Sequence, residues 1–187
     1  MKKLKILFLL VLTPFLVSCT KVISNPDVQT LNQKAVELMN SGDVKGAIAR
    51  LESINDLNPD FPQTHYNLGV AYYKNQDYEK AITALKQAVD LDKNLADAYY
   101  TIGLSYQELA GREAEQLDKP ENKTLSKKEI LTQITDNLKN SKDFYTQYIN
   151  MITGSEEKER IGTEIQNIDS DIKKFEEKLN SGSQKNL

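Results

Sequence analysis

Few side chains in this chain have the type and spacing to do chemistry. Cys19 is the only cysteine and His65 the only histidine among 187 residues. A lone cysteine cannot close an intrachain disulfide, and a lone histidine leaves most histidine-based metal sites without ligands. There is no phosphate-cradling glycine loop, and no serine or cysteine stands in a pattern that would pair it with a base. Glu113 with Glu115 and Glu156 with Glu157 are the closest approach to paired carboxylates. Neighbours so close in sequence do not face each other on a helix, so they read as solvated faces or helix-start charges. His65 falls at a repeated packing position, described below, and reads as a buried structural residue. No enzyme activity, cofactor or metal site is expected.

Composition limits the partners as well. Basic residues number 24 and acidic residues 27, for a formal charge of −3. Losing Lys2, Lys3 and Lys5 from the N-terminus would leave 21 against 27, or −6. A mildly acidic chain lacks the clustered Lys and Arg that neutralise phosphates, so nucleic acid is not an expected partner. Hydrophobic residues at 39% and charged residues at 27% suit one helical domain with its own core.

The remaining candidate is Cys19 itself. Three lysines in residues 1–5 precede an almost wholly apolar run over 6–17, interrupted by Thr13 and Pro14. That is the pattern of a secretory signal, too short to span a bilayer stably. It ends in Leu16-Val17-Ser18-Cys19, which resembles the bacterial lipobox. The resemblance implies a signal peptide over 1–18, a diacylglycerol thioether on Cys19, and cleavage just before it. Each buried lipid methylene contributes about 0.8 kcal/mol, so two or three long chains fix a protein to a membrane. The residue after the cysteine is Thr20, not Asp, which by the same resemblance implies the outer membrane, facing the periplasm, in a diderm host. Residues 19–27 read as a tether, with Asn25-Pro26-Asp27 as a helix-start signal.

The elements that such an anchor would carry are written in a repeat. A period of 34 aligns Leu31, His65 and Tyr99; Ala35, Gly69 and Gly103; and Leu38, Tyr72 and Tyr106. It also aligns Ala47 with Ala81 and Leu51 with Leu85. The chain thereby resembles the tetratricopeptide (TPR) repeat, a 34-residue helix-turn-helix unit. The resemblance implies an all-α solenoid of helical hairpins, with repeats over 28–61, 62–95 and 96–152. In each hairpin the small residue of the first helix, helix A, lets helix B approach closely, and the large apolar residue of helix B closes the contact. Ser41-Gly42-Asp43 and Asn75-Gln76-Asp77 occupy the turns, and Asn58-Pro59 ends the first helix B.

The third unit departs from the period. Its small helix-B residue should fall at Glu115, which cannot fill that role; Ser141, Tyr145, Tyr148 and Ile149 supply the pattern 26 positions later. An insertion over about 112–137 therefore splits the hairpin. Ser126-Lys127-Lys128-Glu129 reads as a capping box, with Ile130, Ile134 and Leu138 on one face behind it. Leu109, Ala110, Ala114 and Leu117 extend the preceding helix, which predicts an overlong hairpin with residues 118–124 as its polar tip. The alternative is a floppy loop. Beyond Gly154, Ile161, Ile165, Ile168, Ile172, Phe175 and Leu179 form a narrow apolar seam on a helix over 155–180. A capping helix over the last repeat is expected, with a coiled-coil strand as the alternative. Residues 181–187 read as a disordered tail.

By the same resemblance, helix-A residues outside the packing signature line a partner-binding groove. Here they are Asn32, Val36 and Met39; Tyr66, Asn67, Val70, Tyr73 and Lys74; and Tyr100, Leu104, Gln107 and Glu108, with Asn40 and Thr101 beside them. Tyrosines combine large apolar contact with a polar tip, which suits peptide recognition. Chaperone-binding members of the family clamp a C-terminal carboxylate with Lys and Arg. Asn67 matches one clamp position, but Asn32, Val36, Asp97 and Thr101 hold the others, so no such clamp is expected. The function implied is a lipid-anchored adaptor or scaffold for proteins or peptides of the cell envelope. The alternative is a structural lipoprotein forming a homo-oligomer through its C-terminal helix.

Overall fold

A computed structural model describes residues 25–117 and 125–184. The expected signal peptide, Cys19, most of the tether, the hairpin tip at 118–124 and the last three residues lie outside this range. Seven helices and no strand make up the described residues: α1 (Asn25–Asn40), α2 (Val44–Leu57), α3 (Pro62–Lys74), α4 (Tyr78–Leu91), α5 (Ala96–Leu117), α6 (Lys127–Met151) and α7 (Ser155–Gln184). Each packs on the next in sequence, and the A helices also touch, α1 with α3 and α3 with α5. The architecture is an all-α solenoid of hairpins. Among the described residues no helix is long and apolar enough to cross a membrane.

The turns are set by local chemistry. Gly42 takes φ 90°, which costs glycine nothing, and Gln76 takes φ 63° at the equivalent place in the second hairpin, where a side chain is disfavoured. Arg112 of α5 donates to the Gln76 carbonyl at 2.7 Å and lies over the Tyr78 ring at 4.8 Å, so a later helix grips this strained turn. Pro62 begins α3 at a position where its missing N–H leaves no bond unmade. His65 is buried at 4% exposure, its Nε2 2.5 Å from the Pro59 carbonyl, tying α3 to the end of the previous helix B. Its Nδ1 is buried without a partner.

The hairpin contacts follow the small-residue pattern. A Cβ on Gly69 would lie 2.4 Å from Leu85 Cγ and 3.2 Å from the Ala81 carbonyl oxygen, so glycine is required there. On Gly103 it would lie 2.7 Å from the Tyr145 ring, and Ser141, fully buried, donates its hydroxyl to the Gly103 carbonyl at 2.8 Å. Ser141 and Tyr145 thus occupy in the third hairpin the places of Ala81 and Leu85 in the second. The inserted residues are helical in both arms, which removes the floppy-loop alternative for 112–117 and 127–137. Ser126 and Glu129 form the reciprocal capping box at the start of α6.

Two cores result. One runs through α1 to α5 around Leu51, Leu85 and Ile102; the other joins Ala110, Ile130, Ile134 and Tyr145 to Ile161, Ile168 and Ile172. The whole seam from Ile161 to Phe175 packs into this second core. Consequently α7 caps the last hairpin with the face that carries the seam. Lys142 to Asp169 at 2.6 Å and Lys139 to Glu176 at 2.8 Å carry the pairing of α6 and α7 toward the long arms. The overlong hairpin is therefore one side of a three-helix unit and does not stand alone. Two boundaries differ from expectation: α1 begins at Asn25, inside the expected tether, and α7 continues to Gln184, four residues past the expected end of the helix. In α7, residues 181–184 prolong an established helix, where each added residue gains one hydrogen bond without a new nucleation cost.

Candidate functional site

The helix-A residues expected to line a groove do not have equal access. Asn32 and Asn67, expected to meet a partner, are buried at 3% and 5% exposure. Asn67 donates to Asn32 Oδ1 at 3.0 Å, and Asn32 in turn donates to Thr64 Oγ1 at 2.8 Å and to the Val28 carbonyl at 3.0 Å. A buried amide left unpaired is expensive, so these two hold α1 against α3 first. Met39 is likewise core, packed among α1 to α3 with 7% exposure. Thr101, also buried, returns its hydroxyl to the Asp97 carbonyl at 2.8 Å. These four are largely enclosed by the fold and serve its packing first.

The accessible positions fall into three zones. At the α1 end, Val36 borders a recess with Gln29, Gln33, Phe61 and Gln63, floored by Asn32 and Asn67, an uncharged wall rich in amides. In the middle, Tyr66, Val70 and Tyr73 are half-buried against the first core, and Lys74 is exposed at the end of α3. Burial and the Asp97 carboxylate push the Tyr66 phenol pKa upward; burial and Glu108 do the same for Tyr73. Both hydroxyls remain neutral donors next to acids. Tyr73 also packs against Tyr78 with ring centroids 5.6 Å apart, and the Tyr78 hydroxyl lies 3.5 Å from Glu108 Oε2.

The third zone is built by two helices whose backbones stand apart and meet only through side chains. No α-carbons of α5 and α7 come within 8 Å of each other, whereas the other A helices make direct contact with their neighbours. The gap is a recess of about 370 Å³ lined by Tyr100, Leu104, Gln107, Glu108, Tyr145, Arg160, Ile161 and Glu164. Side chains span its rim: Gln107 donates to Glu164 at 2.6 Å while accepting from the Tyr145 hydroxyl at 2.9 Å. Tyr100 is less free than expected, because its ring packs against Tyr145 at 5.7 Å and Tyr148 at 5.2 Å and lies under Arg160 at 5.6 Å. Arg160 is itself held by Glu157 at 2.5 Å. Arg160, Ile161 and Glu164 were not among the residues expected from sequence. Reading 155–180 as a further helix A, and not only as a cover, would have pointed to them.

Comparison with known proteins accords with this geometry. Residues 37–76 and 71–109 each match the family model of the TPR repeat. Among solved structures, the first TPR of Spaghetti (RPAP3) bound to an HSP90 peptide is 18% identical, with TM-score 0.57 over 80% of this chain and 95% of that one. The type III secretion translocator chaperone SycD of Yersinia enterocolitica is 14% identical, with TM-score 0.56 over 83% and 92%. The Sgt2 TPR domain from Aspergillus fumigatus is 17% identical, with TM-score 0.52 over 85% and 83%. No curated protein matches the chain. At these identities the likeness speaks for the fold. The chain therefore carries tetratricopeptide repeats, matched over 37–109, within an all-α helical solenoid.

Proposed function

We propose that this protein is a membrane-tethered adaptor that holds a segment of a cell-envelope protein along its helix-A face. The observation that carries the reading is the half-buried tyrosine strip of α3, Tyr66 and Tyr73 with Val70 between them, flanked by a recess at each end. Rigid aromatic surface of this kind binds an extended chain at low entropic cost. Two of the fold's solved relatives, by their titles, are peptide complexes or chaperones: the Spaghetti domain with an HSP90 peptide, and SycD, also solved with a peptide of the translocator YopD. A lipid on Cys19 would confine the groove to a membrane, the outer membrane of a diderm host, and raise the effective concentration of whatever it holds.

The test is in-cell crosslinking with the full chain, comparing wild type, Tyr66→Ala/Tyr73→Ala and Cys19→Ser. The adaptor reading expects one envelope partner captured by wild type and lost from the tyrosine variant. It expects Cys19→Ser to leave the membrane fraction while still binding that partner after purification. Capture of the same partner by the tyrosine variant, or of nothing but further copies of the chain, would overturn it.

A further inference from the structure

We infer that the recess between α5 and α7 receives a Lys or Arg side chain, so that the segment held on the helix-A face is a basic one. The inference rests on the groove reading and adds to it the chemistry of the guest.

The chain repeatedly shows how it holds its own cations. Lys80 lies 5.4 Å over the Tyr72 ring, whose hydroxyl donates to Glu52 at 2.6 Å. Arg112 lies over the Tyr78 ring with Glu79 at 3.9 Å, and Arg160 over the Tyr100 ring with Glu157 at 2.5 Å. In the two arginine cases an aromatic face and a carboxylate share one cation, the arrangement in which ring quadrupole and charge act together, while at Lys80 the carboxylate instead accepts from the ring's own hydroxyl. At the α5–α7 recess two further carboxylates stand near aromatic rings with no cation of their own. Glu108 and Glu164 line it, neither forms an ion pair among the described residues, and Tyr73 stands beside Glu108. The one positive group on the rim, Arg160, is already held by Glu157. Leu104 and Ile161 supply apolar wall for a guest's aliphatic stem, as long cationic side chains require.

The gap between the helices gives the stem room, and the acids at the rim would meet its charged end. A carboxylate-ended peptide would meet two like charges in the same place. The recess at the opposite end is lined by amides with Val36 and Phe61 and carries no charged side chain, which sets a direction: the basic residue sits at the α7 end.

The test is phage display of random 12-residue peptides on the immobilised full chain, followed by affinity measurement of the selected peptides. The variants are Glu108→Gln/Glu164→Gln and, separately, Tyr66→Ala/Tyr73→Ala. The expected result is enrichment of Lys or Arg in the selected peptides, with about tenfold weaker binding to the double-Gln variant and, for wild type but not for that variant, weaker binding as salt rises. Replacing the enriched basic residue by Ala should weaken wild-type binding by a similar factor and leave the double-Gln variant nearly unaffected. Peptides that depend on the tyrosines but are neutral or acidic, or that bind both forms equally, overturn the cationic guest and leave the groove intact. Selected peptides indifferent to the tyrosines, or no selection at all, overturn both.

Discussion

The second and third hairpins solve the same packing problem with different residues. In α3–α4, Gly69 meets Ala81 and Leu85; in α5–α6, Gly103 meets Ser141 and Tyr145. Leucine closes its contact by shape alone. Tyr145 closes it by shape and then carries a hydroxyl out to Gln107, and through Gln107 to Glu164 of α7. The larger residue therefore links the inner packing of the third hairpin to the surface recess. Burial pushes the Tyr145 phenol pKa far above its ordinary value, so it remains a neutral donor there. The comparison also bears on α7: Ala110 of α5 and Ile130, Ile134 and Leu138 of α6 share one core with Ile161, Ile168 and Ile172 of α7, the helix that ends the stack.

Truncating the two closing residues separates the hairpins most sharply. Leu85→Ala should lower stability by about 2–5 kcal/mol and Tyr145→Ala by a similar or larger amount, read from denaturant melts. Tyr145→Ala should additionally deprotect α7 in hydrogen exchange, which Leu85→Ala should not. A loss below about 1 kcal/mol for Tyr145→Ala would mean that the third hairpin is not closed on Gly103.

Next in size are the glycines. Gly69→Ala and Gly103→Ala should each cost about 1–3 kcal/mol, because the added methyl meets the core of Leu85 or the rigid ring of Tyr145. Equal stability of wild type and either variant would contradict the close approach at that hairpin.

The turns predict an effect of opposite sign. Gln76→Gly removes a side chain from a left-handed backbone and should stabilise the second hairpin by about 1 kcal/mol, whereas Gly42→Gln in the first should destabilise by a similar amount. Thermal melts of both single variants check the pair.

The smallest effect is at the start of α6. Ser126→Ala should cost about 1 kcal/mol through loss of the cap. The backbone bond to Ser126 holds the Glu129 pKa below its usual value, with the serine hydroxyl assisting. A carboxylate whose folded pKa is depressed stabilises above its unfolded pKa, and that contribution fades as pH falls through the folded value. Amide shifts of the first turn of α6 should accordingly change on acidification in wild type and stay flat in Glu129→Gln.

Much of this was legible in the order of residues. The hairpin positions, the split in the third repeat and the resumption at Ser141 all follow from where small and large residues fall, because helix pairs read a short periodic code. The capping box and the seam of α7 were legible for the same reason: each is a local pattern within one helix. Access was not. Asn32, Asn67 and Met39 share helix faces with true surface residues, and only the neighbouring helix decides which of them it covers.

The sequence by itself determined the helices, their pairing and the register of their contacts, since those depend on spacing within a few turns. The tertiary structure decided that α7 stands off α5 and leaves a recess. It brought Gln107 to Glu164, 57 residues apart, and Tyr100 to Arg160, 60 apart. No periodic pattern encodes such a meeting, because it depends on how the long arms of α5 and α6 set the height at which α7 crosses them.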